Sequence, residues 1–412
     1  MRCRHCSAEV SLQMIDLGFA PPSNAYLTES DLYRPEMYLP LRVKVCEECW
    51  LVQTEDFAQR DALFTSDYAY LSSTSTSWMK QARNYFEMIT TELSLGVNSF
   101  VVELASNDGY LLKNFVDGGI PCLGIEPTKE PARLAESEGV TTVQEFFGTD
   151  LSREIASDYP KADLIIANNV YAHVPDINDF TLGIKNLLAP SGTVTLEFPH
   201  LLNLVLDCQF DTIYHEHYSY LSLKAVIRIF DAFGLRVFRV EKLPSHGGSL
   251  RVFGCHASDP KPAEASVFRI IAEEDAFGLE TPRTYEDFQK RAIEIRNDFV
   301  GFLIEKQRSG QTVVAYGAAA KGNTLLNFAG VQKDLLPMVF DAASSKQGKF
   351  LPGNHVPVKS PQLMRATNPD VVMILPWNLE SELRGVVAGI LTETPEFWVA
   401  LPRLRRLAQM KN

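Results

Sequence analysis

The chain has 412 residues, 46% hydrophobic and 22% charged, which fits two or three globular domains and excludes a disordered or fibrous protein. Lys+Arg total 39 against 51 Asp+Glu, a net charge of −12 that argues against a large nucleic-acid footprint. The N-terminus, MRCRHC, lacks the apolar segment of a signal peptide, and no apolar run reaches the ~18 residues of a membrane span, so a cytoplasmic protein is expected.

The first elements are two cysteine pairs. Cys3 and Cys6 form one CxxC, and Cys46 and Cys49 form a second. Two intervening residues let one tight turn aim both sulfurs at a single ion, and two such turns complete a tetrahedral four-thiolate zinc site. The alternatives are four free cysteines or a redox pair, but disulfides are rare in the cytosol. Thirty-nine residues separate the pairs, so the site must close over an inserted hairpin or loop, with Pro21-Pro22-Ser23-Asn24 as part of it. Four thiolates leave the ion no open position, which makes the zinc structural. Here it would substitute for a core that ~70 residues struggle to build. Cys122, Cys208 and Cys255 lie in apolar contexts and are expected to be buried.

An amphipathic helix is expected from about residue 75 to 96. An α/β alternation follows, with strands over 99–104, 123–126, 162–167 and 192–198 and helices over 110–115 and 130–138. Such a segment builds a doubly wound parallel sheet, which binds ligands at the carboxyl ends of its strands. The first strand ends in Glu103-Leu-Ala105-Ser-Asn107-Asp108-Gly109, and its small residues let backbone approach a ligand. Glu126, followed by Pro127, closes the second strand and can accept two ribose hydroxyls. The turn lacks GxGxxG, which disfavours a dinucleotide. A phosphate-free adenosine fits better and points to S-adenosylmethionine (SAM), whose cationic sulfonium suits acidic surroundings. Phe146 and Phe147 can cover adenine, or serve as core. Asn168 and His173 follow the next strand, at the mid-edge of the sheet.

Tyr214-His-Glu-His-Tyr218 is the densest titratable cluster. Read as extended, it places His215 and His217 on one face and Tyr214 and Glu216 on the other. Acid/base catalysis, a metal site and a structural role are all open, although HExxH spacing is absent. His246-Gly-Gly-Ser249 can line the same cleft.

Residues 257–264 look like a linker, and 285–307 read as a long amphipathic helix. A second α/β pattern then begins. A strand over 312–317 ends in Gly317-Ala318-Ala-Ala-Lys321-Gly322-Asn323, an anion cradle at a helix start that differs from a P-loop because Lys321 precedes Gly322. Asp341 follows a strand and can hold a ribose or base; Lys346 can hold a phosphate. The expected fold is therefore α/β throughout: a zinc-binding domain over 1–74, a SAM-binding Rossmann-like domain over 75–256, and a second Rossmann-like α/β domain over 257–412.

CxxC…CxxC, ELASNDG, NNVYAHVPD, YHEHYSYLS and YGAAAKGNTLLN, in this order, resemble the SAM-dependent C-methyltransferases of nucleotide-activated deoxysugars, over essentially the whole chain. The resemblance implies methyl transfer to C3 of a dTDP-linked 4-keto-deoxysugar in antibiotic or cell-surface sugar pathways, through a base-generated enolate and direct displacement with inversion. It implies that His217 is the general base and that Tyr214 and Glu216 hold the sugar, with His173 and Tyr68 facing the same ring. It further implies a C-terminal domain that helps hold the nucleotide, and His246, Gly317, Ala318, Lys321, Gly322, Asn323, Asp341 and Lys346 are the residues read here as substrate-binding. A monomer using SAM and structural zinc, without nucleic-acid or membrane partners, is expected. Methylation at C5, or O- or N-methylation of a related nucleotide sugar or small molecule, is the competing enzymatic reading. A zinc-containing RNA-binding protein and a non-catalytic nucleotide-sugar binder are the others.

Overall fold

A computed structural model describes residues 1–57, 71–74, 76–391 and 394–408. Tyr68 lies outside the described residues. Among them, no helix is long and apolar enough to cross a membrane.

The cysteine pairs flank a small antiparallel sheet. Strand β1 (Leu12–Ala20) pairs with β2 (Leu39–Val45), and β2 with β3 (Val52–Thr54). Each CxxC turn closes the same way. The residue four after the first cysteine adopts a left-handed backbone, Ser7 at φ 63° and Trp50 at φ 62°, and donates its N–H to that cysteine's carbonyl. Met14, Ile15 and Leu17 of β1 point inward and join the core of the C-terminal unit, beside Phe288 and Phe299. Cys3, Cys46, Cys49 and Leu51 join the core of the central unit, beside Leu221 and Leu223. Residues of this N-terminal segment thus share in two larger cores, which add to what the four thiolates can hold.

The central sheet contains β4 (Val101–Leu104), β5 (Cys122–Ile125), β6 (Thr142–Val143), β7 (Ala162–Asn168), β8 (Leu188–Pro199), β10 (Leu235–Leu243) and β11 (Ser249–His256), with β9 (Ser219–Tyr220) set aside. Its order is β6-β5-β4-β7-β8-β11-β10. The first five are parallel, and β11 is antiparallel to both neighbours. The strand order reverses beside β4, so the carboxyl end of β4 is where this topology places a ligand. β9 leaves this sheet and pairs antiparallel with β3 of the zinc domain, Gln53 opposite Ser219. The helix Ala265–Phe277 packs back on the central unit, with Val267 and Ile270 in its core.

The third sheet runs β14 (Val358–Lys359), β13 (Val339–Phe340), β12 (Val313–Tyr316), β15 (Val371–Ile374), β16 (Glu396–Val399), β17 (Arg405–Arg406). All but β17 are parallel. The helix Ala320–Ala329 starts just beyond β12, at this sheet's own switch point.

Candidate active site

The turn after β4 holds three left-handed residues in five: Ala105 at φ 56°, Asn107 at 50° and Gly109 at 75°. Such backbone persists only when its surroundings over-determine it. Glu126 does much of this, accepting N–H bonds from Asn107 at 3.0 Å and Thr128 at 2.8 Å, and the Thr128 hydroxyl. Gly109 must be glycine on two grounds, because an added Cβ would also stand 3.1 Å from Ala135. Three carboxyls, Glu103, Asp108 and Glu126, converge here and are buried. Burial first, then the neighbouring Asp108 and Glu126, holds Glu103 well above the ordinary carboxylate range. Among the described residues, Glu103 Oε2, Asp108 Oδ1 and Asn168 Oδ1 are buried acceptors without a hydrogen-bond partner. A cationic, hydroxyl-bearing ligand satisfies such a set, and the residues therefore fit SAM. Pro127 is half-buried beside Glu126, and Phe146 and Phe147 stand half-buried past β6, Phe147 edge-on to Phe180. From the start of the helix Thr76–Glu92, Trp78 stacks on Tyr110 and meets His246 edge-on at 5.4 Å.

The second cluster corrects one expectation. Residues 214–217 form a turn closed by the His217 N–H on the Tyr214 carbonyl at 2.9 Å, where an extended segment was expected. Tyr214 and His217 consequently meet, hydroxyl to Nε2 at 2.6 Å, and His215 turns away to the Leu39 and Pro40 carbonyls. His217 Nδ1 lies 2.8 Å from the Thr212 carbonyl, which fixes its proton there and leaves the Nε2 lone pair towards Tyr214. His173, in the short 3-10 turn after β7, stacks edge-on to His217 at 4.5 Å. Burial presses His173 to about 4 and His217 well below the usual imidazole range, so both rings are neutral at neutral pH. Glu216 is fully buried, accepts from Asn24 Nδ2 at 3.0 Å, and is pushed up to about 8.

The C-terminal sheet closes the cleft. Lys321 Nζ donates to Asn378 Oδ1 at 2.7 Å and lies over the Trp377 ring at 5.1 Å. The Trp377 indole N–H donates to Asp211 at 2.8 Å. Burial raises Asp211 to about 6 against the pull of Lys321, and lowers His246, held at φ 54°, to about 4. Asp341 and Lys346, expected to hold ribose and phosphate, here brace the Gly317–Ala318 turn. Asp341 accepts the Ala318 N–H at 2.7 Å, and Lys346 donates to the Ala318 carbonyl at 2.9 Å. Gly317 and Gly322 admit close packing, the former against Pro376, the latter against Leu375. Asn323 joins a buried amide chain with Asn327 and Asn354. Asn24, Asp211, Thr212, Trp377 and Asn378 were not assigned a role from sequence. The signal that could have found Trp377 and Asn378 is their place just past β15, at that strand's carboxyl end.

Away from this cleft, Cys3, Cys6, Cys46 and Cys49 bring all four sulfurs within 4.8 Å of one another. The closest pairs, Cys3–Cys49 and Cys6–Cys46, are at 3.5 Å. Zinc–sulfur bonds of about 2.3 Å imply sulfur–sulfur edges of about 3.8 Å, so the donor set fits tetrahedral zinc with no open position. Gln53 Nε2 donates to Cys3 Sγ at 3.3 Å, orienting that ligand.

Comparison with known proteins covers nearly the whole chain. Residues 3–64 match a putative zinc binding domain, 78–240 a methyltransferase domain, and 244–402 a C-methyltransferase C-terminal domain. The C-methyltransferase NovU of Streptomyces niveus is 33% identical over 403 residues, 98% of this chain and 96% of that protein. Among solved structures, a SAM-dependent methyltransferase from Anabaena variabilis is 14% identical, covering 49% of this chain and 96% of that one, with a TM-score of 0.38. Magnesium protoporphyrin IX methyltransferase from Synechocystis is 12% identical over 43% of this chain and 79% of its own, with a TM-score of 0.33. The chain belongs to the C-methyltransferase family, as a SAM-dependent enzyme with an N-terminal zinc-binding domain.

Proposed function

We propose that the enzyme methylates C3 of a dTDP-linked 4-keto-deoxysugar, with His217 as general base. The observation that carries this reading is the neutral His217, its Nδ1–H spent on Thr212 and its Nε2 turned to Tyr214. Carbon is nucleophilic only beside an activating group, and a 4-keto group acidifies the C3 hydrogen. SAM, when bound, supplies the electrophilic methyl.

His217 Nε2 takes the C3 proton. In the free enzyme Tyr214 caps that lone pair; the substrate's C3–H takes its place, and the freed hydroxyl donates to the ketone oxygen as it becomes an enolate. Negative charge forming on the sugar offsets the cost of charging a buried imidazole. Glu216, protonated at neutral pH, keeps an O–H with which to hold the sugar. Lys321 is the cation that the cleft presents to the pyrophosphate, and Trp377 and Asn378 hold it there. His173 and His246 complete a wall that keeps water from the enolate. Glu103, Asp108, Glu126 and Asn168 would hold SAM, which would supply the methyl to the C3 carbanion while its sulfur kept the bonding pair, with inversion at C3 if base and donor lie on opposite ring faces.

The test is incubation with SAM and a panel of dTDP-4-keto-deoxysugars. The reading expects a gain of one methyl, located on C3 by NMR. Methylation at C5 or on oxygen, or acceptance of a non-sugar substrate alone, would replace it.

A further inference from the structure

The mechanism above leaves Arg4 unused, a cation set in the zinc-binding turn. Arg4 lies between the first two zinc ligands, and its side chain is 6% exposed. It does not point at the sulfurs. Its guanidinium donates to the Pro175 carbonyl at 2.7 Å, the Thr54 carbonyl at 3.1 Å and the Asp56 carboxylate at 2.7 Å, and it lies over the Tyr218 ring at 5.2 Å. Pro175 is two residues past His173, and Tyr218 directly follows His217.

The surrounding bonds form a continuous frame. The Arg4 N–H donates to Gln53 Oε1 at 3.0 Å, and the other end of that amide donates to Cys3 Sγ. Thr54 Oγ1 donates to the His217 carbonyl at 3.0 Å, and the Tyr218 N–H to the Ala172 carbonyl at 2.8 Å. One planar fork thus reaches the zinc domain's own strand and the His173 loop, while its face covers the residue after His217. A flexible ammonium cannot span those acceptors together.

We infer that Arg4 is a positioning residue for the His173–His217 pair, the link through which the zinc-binding turn sets the geometry of the catalytic cleft. This rests on the reading of that pair as catalytic. It assigns the N-terminal domain a part in turnover beyond stability.

The experiment compares Arg4→Ala and Arg4→Lys with wild type and with Arg2→Ala, an exposed neighbour whose side chain donates to the Ser7 carbonyl of the same turn. Zinc content and SAM affinity are measured first. Steady-state kinetics follow with a 4-keto sugar accepted by wild type, and then the ring N–H signals of ¹⁵N-histidine-labelled protein. The expected result is one zinc per chain, unchanged SAM affinity and a kcat lower by about 10- to 100-fold in Arg4→Ala. Arg4→Lys should recover only part of that loss. The His217 Nδ1–H signal, protected on Thr212 in wild type, should broaden or vanish in Arg4→Ala. Should Arg4→Ala fail to load zinc, Arg4→Lys is judged by the same readouts. A kcat within about twofold of wild type with the His217 signal intact would overturn the assignment. So would a parallel loss of zinc, SAM affinity and kcat in both variants, which is the mark of a fold residue. If wild type turns over no 4-keto sugar, the proposed substrate class fails, and the His217 signal alone decides the role of Arg4.

Discussion

Replacing Glu216 with glutamine should stabilise the protein, and increasingly so as pH rises. The carboxyl is fully buried and, among the described residues, makes one hydrogen bond, from Asn24, while Oε1 has no partner there. Burial pushes it from an ordinary 4.5 to about 8. A folded-state value raised in this way means that, between those limits, the folded chain keeps a proton the unfolded chain has released. Its contribution is therefore greatest at low pH and is lost as pH rises to about 8. The loss is about 1.4 kcal/mol per pH unit, about 5 kcal/mol across the window. Glutamine accepts from Asn24 in the same place and carries no such penalty. Urea unfolding of zinc-loaded wild type and Glu216→Gln, followed by tryptophan fluorescence from pH 5 to 9, should show a stability gap that widens to about pH 8 and then levels. A gap that is flat, or that narrows with rising pH, would refute a buried neutral carboxyl. Turnover supplies a second reading. The amide keeps a donor where the acid has its O–H, so Glu216→Gln should retain activity within about tenfold, while Glu216→Ala should not.

Further outcomes follow from the same geometry. His217→Asn should lower turnover at least about a thousandfold and leave SAM affinity intact by calorimetry, since it removes the base and touches none of the β4 turn. Cys46→Ser should release the zinc and lower stability by about 4 kcal/mol or more, read from metal content and thermal unfolding, because Cys3, Cys46 and Cys49 are built into the central core. Lys321→Met should raise the KM for the nucleotide sugar about 10- to 100-fold with little change in the KM for SAM, the signature of one charge-assisted contact to the substrate.

Much of this was legible in the sequence because it rests on local rules. The CxxC pairs needed only their spacing, and their sulfurs converge. The turn after β4 was visible as small residues between an apolar strand and an acidic second strand end. The YHEHY cluster was visible as composition but not as shape. Its turn contains no glycine or proline to announce it, and it forms because Thr54 and Thr324 hold the Tyr218, His217 and Ile213 backbones that flank it. β9 is two residues long and exists only through its pairing with β3, a contact no local pattern encodes. The same holds for Asn24 against Glu216, 192 residues apart in the chain. Lys346 shows a contact that local pattern also left out. A cation after a strand suggested a phosphate ligand; in the structure it donates to the Ala318 carbonyl and pairs with Asp341.

The central claim is that His217 makes an enolate at C3 before any methyl moves. It is tested most directly with a dTDP-4-keto-deoxysugar and S-adenosylhomocysteine, which fills the cofactor site without a methyl to give, in deuterated buffer. Wild type should exchange the C3 hydrogen for deuterium, seen as loss of one proton signal, and His217→Asn should not. No exchange in wild type, or equal exchange in both proteins, would contradict the account.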